Sequence, residues 1–264
     1  MADSATPDSV EVLTAKVLSG VPHGFLGRRG GVSGGEVAGL NVGLGAGDAD
    51  AAVAENRARA VAAVMPGAAL ATVYQVHSPD CVVVDAPWPV DERPRTDAMV
   101  TNRPGVLLGI VTADCAPVLL ADRKAGVIGA AHAGWKGALS GVTDRTVAAM
   151  VGLGADPARI VAAVGPCIAQ ASYEVDEAFF VRFTQAAPGN EAFFAAGQPG
   201  HWHFDLEGYV AARLGAAGVG RIEQLGCDTY AQEQRLFSFR RATHRGQANY
   251  GRQFSLIGLS RGPD

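Results

Sequence analysis

Six strand-like runs follow one another between Ala71 and Ala131: Ala71 to Val76, Cys81 to Asp85, Ala98 to Thr101, Val106 to Thr112, Val118 to Ala121 and Gly126 to Ala131. Parallel neighbours in a sheet need a crossover of a dozen or more residues, usually a helix. Most of these runs are separated by less chain than that. Much of this half must therefore be antiparallel or mixed sheet. Val10 to Leu18 and His23 to Gly27 add extended sequence before it, and short strands are expected at Ile160 to Val164, Ile222 to Leu225, Leu236 to Phe239 and Gln253 to Gly258. Helical patterns fall at about Lys136 to Gly152, Val175 to Gln185 and Leu206 to Ala216. An earlier helix, capped by Asp48 or Asp50, runs to about Met65 and ends at Pro66-Gly67. Strands clustered in sequence make this an α+β mixture rather than a doubly wound sheet.

The apolar stretch Gly105 to Ala121 is interrupted by Asp114 and contains Pro117, so it reads as two buried strands joined by a special turn and not as a membrane helix. With 264 residues and 48% hydrophobic content, the chain can bury a substantial core, and one domain over residues 10–260 is expected after a disordered tail at residues 1–9. The tail lacks the basic and apolar regions of a secretory signal, which points to a cytoplasmic protein. Twenty-two basic against 26 acidic residues give a net charge of −4, so neither nucleic acid nor an anionic membrane is the expected partner. A small molecule fits better. Between Gly30 and Gly47 there are eight glycines in eighteen positions, which suits close approach to a ligand and a long surface loop equally.

Cys81, Cys115, Cys167 and Cys227 form no CxxC pair, so neither a zinc ribbon nor a thioredoxin-like site is written here. Three segments instead end an apolar strand with a potential metal ligand: Tyr74-Gln75-Val76-His77, Thr112-Ala113-Asp114-Cys115 and Gly129-Ala130-Ala131-His132. Two imidazoles and a thiolate meet the three-ligand requirement of catalytic zinc, which keeps one position open. Spacing alone leaves open whether each is simply a strand-end residue.

The chain resembles the YfiH family, also called the polyphenol oxidase or laccase-domain family. The resemblance runs through Arg29-Gly30-Gly31-Val32-Ser33, Leu40-Asn41-Val42-Gly43, Glu55-Asn56-Arg57, Gln75-Val76-His77, Thr96-Asp97-Ala98, Ala113-Asp114-Cys115, His132-Ala133-Gly134-Trp135-Lys136-Gly137, Gly165-Pro166-Cys167-Ile168, Tyr173-Glu174-Val175, Phe237-Ser238-Phe239-Arg240-Arg241 and Gly251-Arg252. It implies a mixed β-sandwich flanked by helices, similar to the cytotoxic necrotizing factor toxins, with His77, Cys115 and His132 as metal ligands. Two positions depart from the family pattern. Lys136 stands where Arg is usual, keeping charge but losing a bidentate donor, and Tyr250 precedes Gly251-Arg252 where Thr is frequent.

The family's older name implies copper oxidation of phenols. Six histidines are too few for a coupled multicopper cluster, although a His2Cys set binds copper readily in vitro. The resemblance otherwise implies a zinc-dependent purine nucleoside phosphorylase acting on adenosine, inosine, guanosine or methylthioadenosine, with accompanying adenosine deamination. Zinc-activated water can attack C6 of adenine, and Asp114 is the nearest acid/base by sequence, or else an orienter of the turn. For phosphate, the arginine pool is Arg28, Arg29, Arg240, Arg241 and Arg252, with Lys136. Asn41 and Glu174 are candidate ribose or base contacts, and Trp135 either stacks on a purine or closes the core. Cys115 followed by His132 also has the order of a hydrolytic or deamidating dyad. A role in editing peptidoglycan precursors is a further family association.

Overall fold

The computed structural model describes residues 9–260; apart from Ser9, the expected N-terminal tail lies outside them. Two sheets face each other. One orders its strands Val12–Leu13, His23–Leu26, Gln253–Gly258, Val106–Thr112 and Ala69–Thr72. The other orders Arg221–Gln224, Val161–Val164, Ala116–Asp122, Val127–Ala133, Ala98–Thr101 and Cys81–Val83. Both are mixed: Ala69–Thr72 runs parallel to Val106–Thr112, and Cys81–Val83 parallel to Ala98–Thr101, while Ala116–Asp122 and Val127–Ala133 pair antiparallel.

Side-chain alternation decides the layers, because successive residues of a strand point to opposite faces. Leu119 and Ala121 join Phe25, Leu108, Ile110, Ile128 and Ile257 in the core between the sheets. Val118 and Leu120, one residue out of phase, face helices Val142–Gly152 and Leu206–Ala216 on the far side. Leu107, Phe254 and Leu256 face helix Asp50–Val64 on the opposite outer layer. Strands buried on both faces must be apolar throughout, which is why 105–121 reads as one hydrophobic run. The mixed β-sandwich flanked by helices is thus the observed fold, and 105–121 is two strands joined through a turn. Among the described residues no helix is long and apolar enough to cross a membrane.

Several elements differ from expectation. Val10 to Leu18 forms only strand Val12–Leu13 and then a short 3-10 turn, Lys16–Leu18. Helix Asp50–Val64 is preceded by Ala49 with no side-chain cap; Asp48 instead accepts from Ser33, Asn41 and the Ala49 N–H. The segment after Gly134 is two helices, Trp135–Ser140 and Val142–Gly152, broken at Gly141, whose φ of 92° continues neither. Leu236 to Phe239 is not a strand. Ser238 accepts from the Arg241 N–H and caps helix Phe239–His244, a stronger local signal than the apolar run before it. A third sheet, Glu174–Asp176, His201–Phe204 and Phe194–Ala196, was not expected. Its strands are short and depend on aromatic packing among Phe179, Phe183, Phe194 and Phe204.

Candidate metal centre

The donor atoms of His77, Cys115 and His132 lie within 4.8 Å of one another, with Cys115 Sγ 4.0 Å from His77 Nε2. Two come from passages between the sheets and one from within a strand. His77 sits in the connection from strand Ala69–Thr72 of one sheet to Cys81–Val83 of the other. Cys115 closes the turn between Val106–Thr112 and Ala116–Asp122, again a passage between sheets. His132 lies inside strand Val127–Ala133 rather than beyond its end.

Two non-glycine residues among those described have positive φ: His77 at 61° and Asp114 at 83°. Such backbone costs about 1–3 kcal/mol and persists where surroundings over-determine it. At Asp114 they do. Its Oδ1 accepts from the Thr229 hydroxyl at 2.6 Å, its Oδ2 from the Arg240 N–H at 2.6 Å, and its carbonyl from the Ile168 N–H at 2.9 Å. Burial raises the proton affinity of this carboxyl against the pull of those hydrogen bonds.

Asp97, a residue of the Thr96-Asp97-Ala98 motif without an assigned role, organises the triad. It is fully buried. Oδ1 accepts from His132 Nδ1 at 2.7 Å, which leaves Nε2 of that ring for a ligand. Oδ2 accepts the N–H groups of Val76 and Ser78, at 3.0 and 2.6 Å, on either side of His77. One carboxylate thereby orients both histidines, as outer partners of metal ligands do. Burial works against its charge, but these donors, His132 foremost, hold Asp97 below the usual carboxylate range.

The thiol and imidazole are tuned together. Burial pushes Cys115 up, but His132 and then His77 outweigh it and bring the thiol down to about 6. Burial likewise disfavours charged His132, and the Cys115 thiolate and the Asp97 hydrogen bond lift it to about 9. A thiolate flanked by two imidazoles is a donor set suited to zinc or copper. The space fits as well: a Cβ at Gly134 would stand 2.8 Å from His77 Cδ2 and 2.9 Å from Cys115 Sγ, so only glycine clears the triad. These three residues can hold a metal ion.

Two cavities share His77, Ala113, Cys115 and Phe239 as a common rim. The larger, about 450 Å³, is lined by Arg57, Arg93 and Arg252 and by Gln75, Tyr74 and Tyr250. The smaller, about 250 Å³, is lined by Trp135, Tyr173, Ile168, Leu206, Asp114 and Arg240. Among the described residues no methionine lines either, so neither lining includes the usual axial partner of an electron-transfer copper.

The remaining predicted residues divide sharply. Arg252 lines the larger cavity and Arg240 the smaller. Trp135 both lines the smaller cavity and packs on Phe179, ring centroids 5.1 Å apart. Arg28 spends its guanidinium on the carbonyls of Ala38 and Glu233, and buried Arg241 on those of Thr229, Tyr230 and Leu236. Arg29 is exposed and pairs loosely with Glu11 at 3.7 Å. Lys136 is exposed over the Trp135 ring. Asn41, fully buried, fixes the N–H groups of Gly43 and Arg252, and Glu174 meets Arg240 through its carbonyl. Arg57 was missed as a site residue although it carried a signal. Positions 53, 56, 57, 60 and 64 form one helix stripe, and an arginine on an otherwise inward-facing stripe is unusual.

A helix-flanked mixed sandwich with a His2Cys triad at the passage between its sheets defines a distinct class of protein. Residues 22–260 match the family described as multi-copper polyphenol oxidoreductase laccase, and the chain belongs to this family, the YfiH family. The solved YfiH protein of Bacillus licheniformis superposes with a TM-score of 0.86 at 28% identity, covering 96% of this chain and 97% of that one. A protein of Deinococcus radiodurans named purine nucleoside phosphorylase is 47% identical over 260 residues, 97% of this chain and 96% of its own. A Streptomyces griseus protein of the same name is 44% identical over 212 residues, 80% and 85% of the two chains.

Proposed function

We propose that this chain is a zinc-dependent purine nucleoside phosphorylase with an accompanying adenosine deaminase activity. The observation that carries this reading is the convergence of His77, Cys115 and His132 on one point at the shared rim of two cavities. The names of the relatives supply the substrate class. Zinc bound at such a triad supplies acidification of water and stabilisation of developing negative charge.

The chain's own residues account for the rest. Trp135, Tyr173 and Phe239 give the smaller cavity aromatic faces, which suit a purine ring. Arg240 lines the same space with its guanidinium over Tyr173, and a guanidinium matches purine N7 and O6, where charge spreads as the base departs. In phosphorolysis the C1′–N9 bond breaks, its electron pair leaves with the base, and a phosphate oxygen bonds to C1′. In deamination water replaces the amino group at C6, releasing ammonia. Asp114 lines the purine side but has both oxygens engaged, so we assign it the positioning of the Cys115 turn against Arg240.

A second reading rests on the same atoms. Cys115, His132 and Asp97 stand in the order nucleophile, base and orienter of a thiol hydrolase. Product analysis separates the two. Zinc-loaded protein incubated with inosine and phosphate is expected to release hypoxanthine and ribose 1-phosphate, and Cys115→Ala to lose zinc and turnover together. Full zinc in that variant by elemental analysis, or amide hydrolysis in place of ribose 1-phosphate, overturns the proposal.

A further inference from the structure

We propose that Arg57, Arg93 and Arg252 form the orthophosphate subsite, placing the phosphate in the larger cavity and the purine in the smaller one. This assignment rests on the phosphorolytic reading above. Its basis is the charge inventory of the two spaces. Among the described residues the larger cavity is lined by three arginines and by no aspartate or glutamate. None of the three takes part in an ion pair among the described residues. The smaller cavity is aromatic, with one arginine and one carboxylate.

The three arginines are held by neutral acceptors, Arg93 donating its Nε to the Val90 carbonyl at 2.5 Å. Arg57 projects from helix Asp50–Val64, donating to the Val42 carbonyl at 3.2 Å and the Thr72 hydroxyl at 3.1 Å, both neutral acceptors. Phe254 backs its guanidinium, 4.9 Å from the ring centroid. Burial and then the positive charge of Arg93 bring Arg57 down to about 10, so the two cations act on each other without a counter-charge between them. Arg252 donates to the Tyr250 hydroxyl at 2.9 Å and lies over that ring. Its side chain passes where a Cβ of residue 43 would be: at Gly43 that atom would stand 2.9 Å from Arg252 Nη1 and 3.0 Å from Cδ. Gly43 thus leaves room for Arg252 to lie along this segment. A half-buried space with clustered cations and no acid attracts a small anion, and arginine forks match phosphate oxygens.

This geometry also reassigns the arginines expected from sequence. Arg28 and Arg241 donate to backbone carbonyls and line a third cavity whose lining includes the acids Glu36 and Glu233. Arg240 lies on the aromatic side. The shared rim at His77, Cys115 and Phe239 then separates nucleophile from leaving group, the arrangement an in-line displacement at C1′ requires.

The test uses the zinc-loaded full chain and its Arg57→Gln, Arg93→Gln and Arg252→Gln variants, with zinc content and thermal midpoint checked for each. Inorganic phosphate is titrated alone by calorimetry, and KM is measured separately for phosphate and inosine. Loss of a charged hydrogen bond should weaken phosphate about tenfold to a hundredfold in each variant, while KM for inosine changes less than about threefold. Adenosine deamination, which consumes water and not phosphate, should persist in all three. Should Arg57→Gln misfold, Arg93→Gln, in a surface connection, and Arg252→Gln still decide. An unchanged phosphate KM in those two folded variants, or a rise in inosine KM alone, overturns the subsite while leaving phosphorolysis standing. Phosphate binding that the variants lose, without any ribose 1-phosphate from the parent, upholds the subsite and overturns the phosphorylase reading.

Discussion

At Asp97 a single buried carboxylate reconciles two requirements that conflict in most settings. It must stay charged without solvent, and it must hold two histidines from different segments. Three donors solve this together: the imidazole Nδ1 of His132 and the two N–H groups flanking His77 supply the charge stabilisation that burial removes. The same residue-scale electrostatics make a pH prediction for Cys115. A thiol lowered to about 6 is a thiolate above that pH and loses reactivity as pH falls through it. In metal-stripped protein, iodoacetamide should alkylate Cys115 with a rate that rises between pH 5 and 7 and levels off by pH 8. Cys81, pushed up to about 12 by burial, should remain unlabelled throughout. Peptide mapping by mass spectrometry reads both. A Cys115 midpoint near the ordinary thiol value, or one that His132→Ala leaves in place, contradicts the coupling described.

Among the elements, helix Asp50–Val64 shows how a glycine-rich loop gains a fixed shape. Asn56, buried on the helix's inward stripe, donates to the Ser33 hydroxyl and to the carbonyls of Gly39 and Asn41, and accepts the Val32 N–H. One helix position thus pins four residues of the loop, and the neighbouring Arg57 lines the larger cavity. Asn56→Ala would strand buried backbone groups and should cost about 2–4 kcal/mol, measured by urea denaturation. Zinc content should be unchanged, since no ligand of the triad lies on this loop. A variant as stable as the parent would mean that the loop holds its shape without the helix.

For the whole molecule, the triad is a fastener between sheets. His77 and Cys115 occupy two separate passages from one sheet to the other, and His132 lies in the second sheet. A metal bound there couples both crossings, so binding free energy is also folding free energy. At a free metal concentration of about a hundred times Kd, the gain is about 2.7 kcal/mol, or about 5–10 °C in thermal midpoint for a chain of this size. Calorimetry with and without a chelator should show that difference in the parent and none in Cys115→Ala. Equal midpoints in the parent would show that the sheets are held by their apolar core alone.

Much of the sandwich was legible because its physics is local. Strands Ala98–Thr101, Val106–Thr112 and Gln253–Gly258 and helix Leu206–Ala216 follow from apolar runs and periodicity, and the shortness of the connections forces a mixed sheet. The candidate ligands were legible from the motifs around His77, Cys115 and His132. Roles that depend on what lies opposite were not. Phe237-Ser238-Phe239 reads as a strand until Ser238 caps a helix, and Asp97, only one residue of the Thr96-Asp97-Ala98 motif in the sequence, gains its role from His132 standing 2.7 Å away. Alternation and side-chain chemistry are properties of each segment, so the buried strands and three candidate donors could be read there, while the sandwich and the joint role of the donors came from the family resemblance. Only the tertiary structure decided which arginines stand over a cavity without an acid, because that depends on what folding places opposite them: half-buried Arg28 donates to the Ala38 and Glu233 carbonyls and lines a cavity that also holds Glu36 and Glu233, whereas half-buried Arg57 donates to the Val42 carbonyl and the Thr72 hydroxyl and lines a cavity with no carboxylate among the described residues.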